Sequence, residues 1–390
     1  MDICDLSHCT GCGMCSNICP SGAISMEEGL HGFIYPKIDG EKCINCNLCV
    51  KRCPANTKRQ TACTMKNIYA AWNISKDIRK KSTSGGICSL LENEILKANG
   101  AVVGVEWGED FCARHTIAFN NKQTEAFRGS KYVQSNTGNV YSKVRELLDG
   151  GKKVLFTGTP CQIDALKSFL KKDHEGLYTV DFVCHGVPSH HCFKRFLSEI
   201  SSENNKQIND VKLRYKSPYW DYCSVRIDFG DGSHYQRYTV DDPYFTLFNI
   251  GYSLRESCHS CKYTSLNRVG DITLADFWGY QPRNFKMVDY NKGISLVAVN
   301  TQKGDYLMEQ IKEHMNYEFE TLETAIRTNK SFREPFVVPE NKLNGFWDDY
   351  EKGFSIHELC KKHVSDPFKL PNLLFLRRMK NKYRWVIKRK

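Results

Sequence analysis

The stretch Cys9-Thr10-Gly11-Cys12-Gly13-Met14-Cys15-Ser16-Asn17-Ile18-Cys19-Pro20 recurs 34 positions later as Cys43-Ile44-Asn45-Cys46-Asn47-Leu48-Cys49-Val50-Lys51-Arg52-Cys53-Pro54, with every cysteine and the proline repeated. Three thiolates two residues apart can wrap one corner of a cubane iron–sulfur cluster. The fourth, at the wider spacing, points toward a second cluster, and proline follows because the chain must turn there. The spacing therefore assigns Cys9, Cys12, Cys15 and Cys53 to one 4Fe–4S cluster. Cys43, Cys46, Cys49 and Cys19 go to the other. A zinc site would use paired C-x2-C spacing and has no use for the third cysteine or the Cys-Pro ending. A disulfide framework suits a short secreted chain. A repeat of this period can also mean stacked helices, but there are two copies only and no helical pattern between them.

C-x2-C-x2-C-x3-C-P is the spacing of bacterial two-cluster ferredoxins, which residues 1–60 resemble. Between the halves, Gly32 to Ile38 reads as a short strand laying aromatic cover over a cluster. So small a unit has little core of its own, and the clusters are expected to hold it together. Lys58, Arg59 and Gln60 read as a linker.

The 390 residues suggest two to three domains of about 150. Nineteen cysteines fit a reducing, oxygen-poor cytoplasmic setting. Met1 to Asp5 carries acid where a secretion signal carries base, and no 18-residue apolar run is present, so no spanning helix is expected. The net charge of +11 is concentrated in Pro367–Lys390, which holds nine Lys and Arg and no acid. Leu373 to Leu376, Tyr383 and Trp385 interleave with these charges. Such a tail suits peripheral contact with an anionic membrane or an acidic partner, or is a frayed solvated end. No nucleic-acid partner is expected.

Beyond the linker, strands alternate with helices, which implies a mainly parallel sheet with packed helices. Ile68–Trp72, Ala101–Val105, Lys153–Phe156, Leu177–Val183, Ile272–Asp276 and Ile294–Val299 read as strands. Ser84-Gly85-Gly86 opens a helix running to about Lys97. Two glycines there let backbone amides approach a phosphate, although an ordinary helix cap has the same look. Lys131, in the loop Arg128–Ser135, could face a flavin ring or a phosphate, or simply solvent. Tyr222–Phe229 and His234–Val240 suggest a hairpin around Gly230-Asp231-Gly232. Residues 303 to about 363 read as helical, anchored by Trp347, Phe354 and Leu359.

Cys161 and Cys184 each follow a strand, at the sheet end where ligands collect in such folds. Cys258-x2-Cys261 adds two more sulfurs. Together these four could hold a third 4Fe–4S cluster; zinc stays open on spacing alone. Cys63, Cys88, Cys112, Cys192, Cys223 and Cys360 lack partners at ligand spacing and read as structural or solvated.

Five short motifs occur in one order: Ser84-Gly85-Gly86, Gly129-Ser130-Lys131-Tyr132, Thr159-Pro160-Cys161-Gln162, Cys184, and Cys258-x2-Cys261 followed by Gly270-Asp271-Ile272-Thr273. In that order the chain from about Ile68 to Asn300 resembles the beta subunit family of coenzyme F420 hydrogenases and dehydrogenases, in its bacterial form with a fused N-terminal ferredoxin. The resemblance implies a bound FAD and a 4Fe–4S cluster on Cys161, Cys184, Cys258 and Cys261. It implies that Ser84, Gly85 and Gly86 line the flavin phosphates and that Lys131 lies near the flavin. His185 and Asp276 are the candidates for proton delivery there.

The expected fold is thus α+β to α/β. A two-cluster ferredoxin domain (1–60) precedes a flavin and iron–sulfur domain (66–310) and a helical C-terminal extension with a basic tail (311–390). The expected function is an iron–sulfur flavoprotein oxidoreductase linking a one-electron donor, ferredoxin or similar, to a small organic substrate, F420-like or other. The alternative is an electron-transfer subunit without its own substrate site, docked on a catalytic partner.

Overall fold

A computed structural model describes residues 2–57, 65–280, 283 and 292–364. The linker reading at Lys58–Gln60, the reading of Cys63 as structural and the basic tail from Pro367 lie outside the described residues.

The first unit is an antiparallel hairpin, β1 (Ile24–Glu28) and β2 (Ile34–Ile38), with Ile24 opposite Ile38. Each cysteine motif closes in a single helical turn, Met14–Ile18 and Leu48–Arg52. Both turns are entered through left-handed residues, Gly13 and Asn47, which reverse the chain between successive cysteines. Met14, Cys15, Ile24 and Cys53 share one apolar core with Val140, Tyr141, Ile163 and Phe169 of the larger domain. The expectation that clusters alone hold this unit is therefore corrected: it borrows core from its neighbour.

The larger domain is an eight-stranded sheet built from β3 (Asn67–Asn73), β4 (Ala101–Trp107), β5 (Ala113–Ala118), β6 (Val154–Thr157), β7 (Leu177–Phe182), β11 (Ile272–Asp276), β12 (Ser295–Val299) and β13 (Met315–Glu320). Its order is β13-β3-β12-β11-β7-β6-β4-β5. The four central strands, β11, β7, β6 and β4, run parallel. Val154, Leu155 and Phe156 are fully buried, as a central strand covered on both faces requires. The flanking pairs are antiparallel. Between β7 and β11 the chain makes a second sheet of β8 (Ile208–Tyr215), β9 (Ser224–Phe229) and β10 (His234–Tyr238), so the expected hairpin carries one strand more.

The helical reading of 303–363 is broken by β13, which pairs with β3 along Met315–Glu320. Met315-Asn316-Tyr317-Glu318-Phe319-Glu320 alternates apolar and polar residues, a period of two that belongs to a strand. The sheet thus crosses the expected boundary at 310. The other segments of that stretch are helical, with Phe346, Trp347 and Leu359 buried.

One ion pair ties the sheet to the Cys258–Cys261 loop. Asp181 on β7 accepts from Arg268 Nη2 (2.9 Å), Thr273 Oγ1 (2.6 Å) and the Gly270 amide (2.9 Å). Both charged side chains are essentially sealed, at 0% and 1% exposure. A side chain at position 270 would come within 2.8 Å of the Asp181 nitrogen, so only glycine fits. Removing one partner of such a pair leaves a buried charge uncompensated. Arg268→Met should therefore cost about 3–5 kcal/mol in denaturant unfolding of the oxygen-free protein. A loss below about 1 kcal/mol would show that the pair does not anchor the loop.

Candidate iron–sulfur centres and adjoining cleft

The repeated motif folds around two hollows. One is lined by Cys9, Cys12, Cys15 and Cys53, the other by Cys19, Cys43, Cys46 and Cys49, which are the two sets that the spacing assigns. A fifth sulfur, Cys4, also lines the first hollow and lies within hydrogen-bonding reach of Cys9 and Cys53. It stands outside the motif, so spacing offers no reason to single it out. The second hollow lies nearer the surface: Cys46 is exposed, and Ile44 beside it is 64% exposed.

Cys161, Cys184, Cys258 and Cys261 come together from three directions. Cys161 sits in the first turn of the helix Pro160–Leu170. Thr159 caps that helix, Pro160 is its first residue and Gln162 closes a capping box. Thr159 Oγ1 lies 3.0 Å from Cys161 Sγ. Cys184 follows β7, and Cys258 lies in the short helix Glu256–His259. Burial first, then the charge of neighbouring sulfurs, pushes the Cys258 thiol up to about 12 and raises Cys161 and Cys184 as well. Four half-buried thiols that resist ionising together are the donor set an iron core would suit, because its positive charge offsets their repulsion. Among the described residues, no three His, Cys, Asp or Glu side chains converge closely enough to hold a single metal ion.

The first hollow adjoins this third set. The charge of Cys12 is felt at Cys161, and Tyr141, which senses both, donates to the Cys12 carbonyl at 2.8 Å. Arg255, fully buried, donates through Nε to the Cys9 carbonyl (2.6 Å), while its own carbonyl accepts from the Cys258 amide (2.9 Å). One residue therefore touches both centres.

Cys184 also lines a cleft of about 690 Å³. Ser84, Gly86 and Cys88 form part of its wall, at the N-terminus of the helix Ile87–Lys97. A helix N-terminus offers free amides and a partial positive charge. Gly85 stands behind this wall. Its amide donates to Ser295 Oγ, and a side chain there would meet the Ala71 carbonyl at 2.4 Å. The Ser84 hydroxyl donates to the Ile294 carbonyl (2.8 Å) and is engaged, while the amides from Gly86 onward begin the helix. Lys216 donates to the Ser84 carbonyl (2.7 Å), and burial lowers its ammonium to about 7.

Lys131 lines the cleft and donates to the carbonyls of Ala126 (2.8 Å) and Arg128 (3.3 Å); burial lowers it to about 8. His185 also lines it. Its Nε2 pairs with the Phe248 carbonyl (3.2 Å), and burial pushes it toward the neutral form. Asp276 is at the wall, but its carboxylate is engaged by Arg214 Nη1 (2.9 Å) and Trp220 Nε1 (3.2 Å). That pairing suits an anchor better than a proton donor. Cys88 and Cys223, read as structural or solvated, also face the cleft. Arg214, Lys216, Arg255 and Glu92 carry no motif and are identified only by the fold.

Residues 8–57 match the family model of the 4Fe-4S dicluster domain. Together with the two hollows, this defines an iron–sulfur electron-transfer protein. Residues 151–325 match the model for the C terminus of the coenzyme F420 hydrogenase/dehydrogenase beta subunit. The chain therefore joins an N-terminal dicluster domain to a domain that matches the C terminus of F420 hydrogenase/dehydrogenase beta subunits. An uncharacterized ferredoxin of Methanocaldococcus jannaschii is 41% identical over 14% of this chain and 69% of its own length. The coenzyme F420-dependent sulfite reductase of the same organism is 23% identical over 81% of this chain, which spans only 48% of that relative. A solved structure of the F420-reducing nickel–iron hydrogenase complex from Methanosarcina barkeri aligns over 70% of this chain and 90% of that one, at 16% identity and a TM-score of 0.49. Among the described residues, no helix is long and apolar enough to cross a membrane.

Glu92, at the cleft, is pushed by burial from 4.5 up to about 7. Below pH 4.5 folded and unfolded chains both hold its proton, and it costs the fold nothing. Between there and about 7 the unfolded chain ionises first, so stability falls as pH rises, by up to about 3 kcal/mol. Glu92→Gln should flatten the pH dependence of unfolding free energy across about pH 5.5–7. An unchanged slope would contradict the buried-acid reading.

Proposed function

We propose that this chain is an iron–sulfur flavoprotein oxidoreductase that exchanges electrons between a one-electron donor protein and a small organic substrate, coenzyme F420 or a molecule like it. Cys9, Cys12, Cys15 and Cys53 hold one 4Fe–4S cluster; Cys19, Cys43, Cys46 and Cys49 hold a second; Cys161, Cys184, Cys258 and Cys261 hold a third. The observation that carries the proposal is the double position of Cys184, which belongs to the third sulfur set and also forms the wall of the cleft. A plain electron carrier has no need of a cleft that large beside its last centre.

The cleft suits FAD by its size, its helix N-terminus and its aromatic walls, Tyr132, Phe245 and Phe248. Gly86 and the amides after it would hold phosphate oxygens, with Lys131 supplying positive charge. FAD, when bound, exchanges electrons singly or in pairs, which joins cluster chemistry to hydride chemistry. His185 exchanges a proton at the cleft; burial favours its neutral ring, which suits it to accept one. Asp276 fixes Arg214. The donor protein docks where Cys46 and Ile44 reach the surface.

Oxygen-free purification should yield about twelve irons and one flavin per chain. Cys258→Ser with Cys261→Ser should remove about four irons and leave the signals of the ferredoxin pair intact. Eight irons and no flavin in the unmodified protein, or loss of zinc in the double variant, would overturn the proposal.

A further inference from the structure

The second sheet places one guanidinium in the cleft with half its hydrogen-bonding edge unused. Arg214 lies on β8 and is 6% exposed. Nε donates to Cys223 Sγ (3.0 Å), and Nη1 donates to Asp276 (2.9 Å) and Tyr132 Oη (3.0 Å). The plane of the group is further held by the Trp278 ring, 4.9 Å away, which is itself stacked on Trp220. Nη2 has no partner. Burying a donor without a partner is costly, and native structures keep few such groups without a reason. Arg214, Trp278, Tyr132 and Asp276 all line the cleft.

The spare donor of Arg214 selects the ligand. Asp276 pairs with Arg214, Asp181 with Arg268 and Arg128 with Glu125, while Lys131, Lys330 and Asp221 also line the cleft. Glu92, raised to about 7, is only partly charged near neutrality. A guanidinium donor fixed in orientation and left without a partner matches a delocalised anionic oxygen.

We propose that Arg214 is the anion-recognising residue of this cleft, and that its Nη2 donates to an oxygen carrying delocalised negative charge. This rests on the oxidoreductase reading. The oxygen has two sources: the pyrimidine edge of the reduced flavin ring, or a phenolate, enolate or carboxylate of the substrate. Either way, the second sheet supplies the specificity of the site, and Asp276, Tyr132 and Cys223 position the arginine.

Arg214→Lys separates these roles, because lysine keeps a charge against Asp276 but loses the spare donor. Two probes report on it. Inorganic sulfite adds to the flavin: its sulfur lone pair forms a bond to N5 and the electron pair moves to the pyrimidine edge, which becomes anionic. In the second arm, protein reduced beforehand with dithionite is mixed with dichlorophenolindophenol, an anionic acceptor, or with benzyl viologen, a cationic one. At unchanged iron content, a sulfite affinity lowered tenfold or more assigns the flavin edge. A half-saturating indophenol concentration raised tenfold or more, with benzyl viologen unchanged, assigns the substrate. If both anionic probes stay within twofold of the unmodified protein, or if benzyl viologen shifts equally with indophenol, the proposal is overturned. Should Arg214→Lys lose iron, Arg214→Gln combined with Asp276→Asn removes both charges and is read in the same way. An unmodified protein without flavin would defeat the flavoprotein reading alone, and the indophenol arm would still test Arg214.

Discussion

The arrangement of centres depends on a single buried cation. Arg255 is sealed from solvent, donates to the Cys9 carbonyl and to Gln134 (3.3 Å), and lies over the rings of Tyr35 and Phe33 at 4.1 and 5.4 Å. Gly11 is glycine for this reason, since a side chain there would strike Gln134 at 2.3 Å and Arg255 at 2.9 Å. A guanidinium without a carboxylate partner is costly to bury, and here carbonyl, amide and aromatic faces share the work of solvating it. The result is that the loop of the first cysteine motif and the loop leading to Cys258 are fixed to each other rather than tethered.

That fixation gives the sulfur sets an order. The outer hollow reaches the surface, the first hollow lies against Tyr141, the third set lies beyond it, and Cys184 opens on the cleft. The parallel strands set the inner end of this series. Cys161 and Cys184 follow neighbouring parallel strands, β6 and β7, and the Asp181–Arg268 pair brings the Cys258–Cys261 loop to the same end. The antiparallel strands on either side add width to the sheet, and the second sheet contributes Arg214 to the cleft.

Much of this could be read from the sequence because the chemistry of cluster binding is local. Thiolates at fixed spacing, a proline at a forced turn and cysteines at strand ends all carry their meaning within a few residues. The central strands were readable for the same reason, as short apolar runs. What the sequence hid is non-local. β13 is an amphipathic edge strand whose partner lies some 240 residues earlier in the chain, and its short alternation sits between helical segments. Arg214, Lys216 and Arg255 look like ordinary surface cations until folding buries them. Ser84 and Gly85 have the composition of a phosphate loop, but the Ser84 hydroxyl is bonded to Ile294 and the Gly85 amide to Ser295, and Gly85 stands behind the cleft wall. Asp276 likewise looked free until its pairing with Arg214 was visible.

The central claim is that three sulfur sets lie in series, with the third close enough to sense the first. Electron paramagnetic resonance of the oxygen-free protein, reduced in steps and integrated, tests it most directly. About three spins per chain at full reduction are expected, with lines broadened by mutual coupling as successive centres fill. No more than about two spins, with no broadening beyond that of the ferredoxin pair, would contradict it.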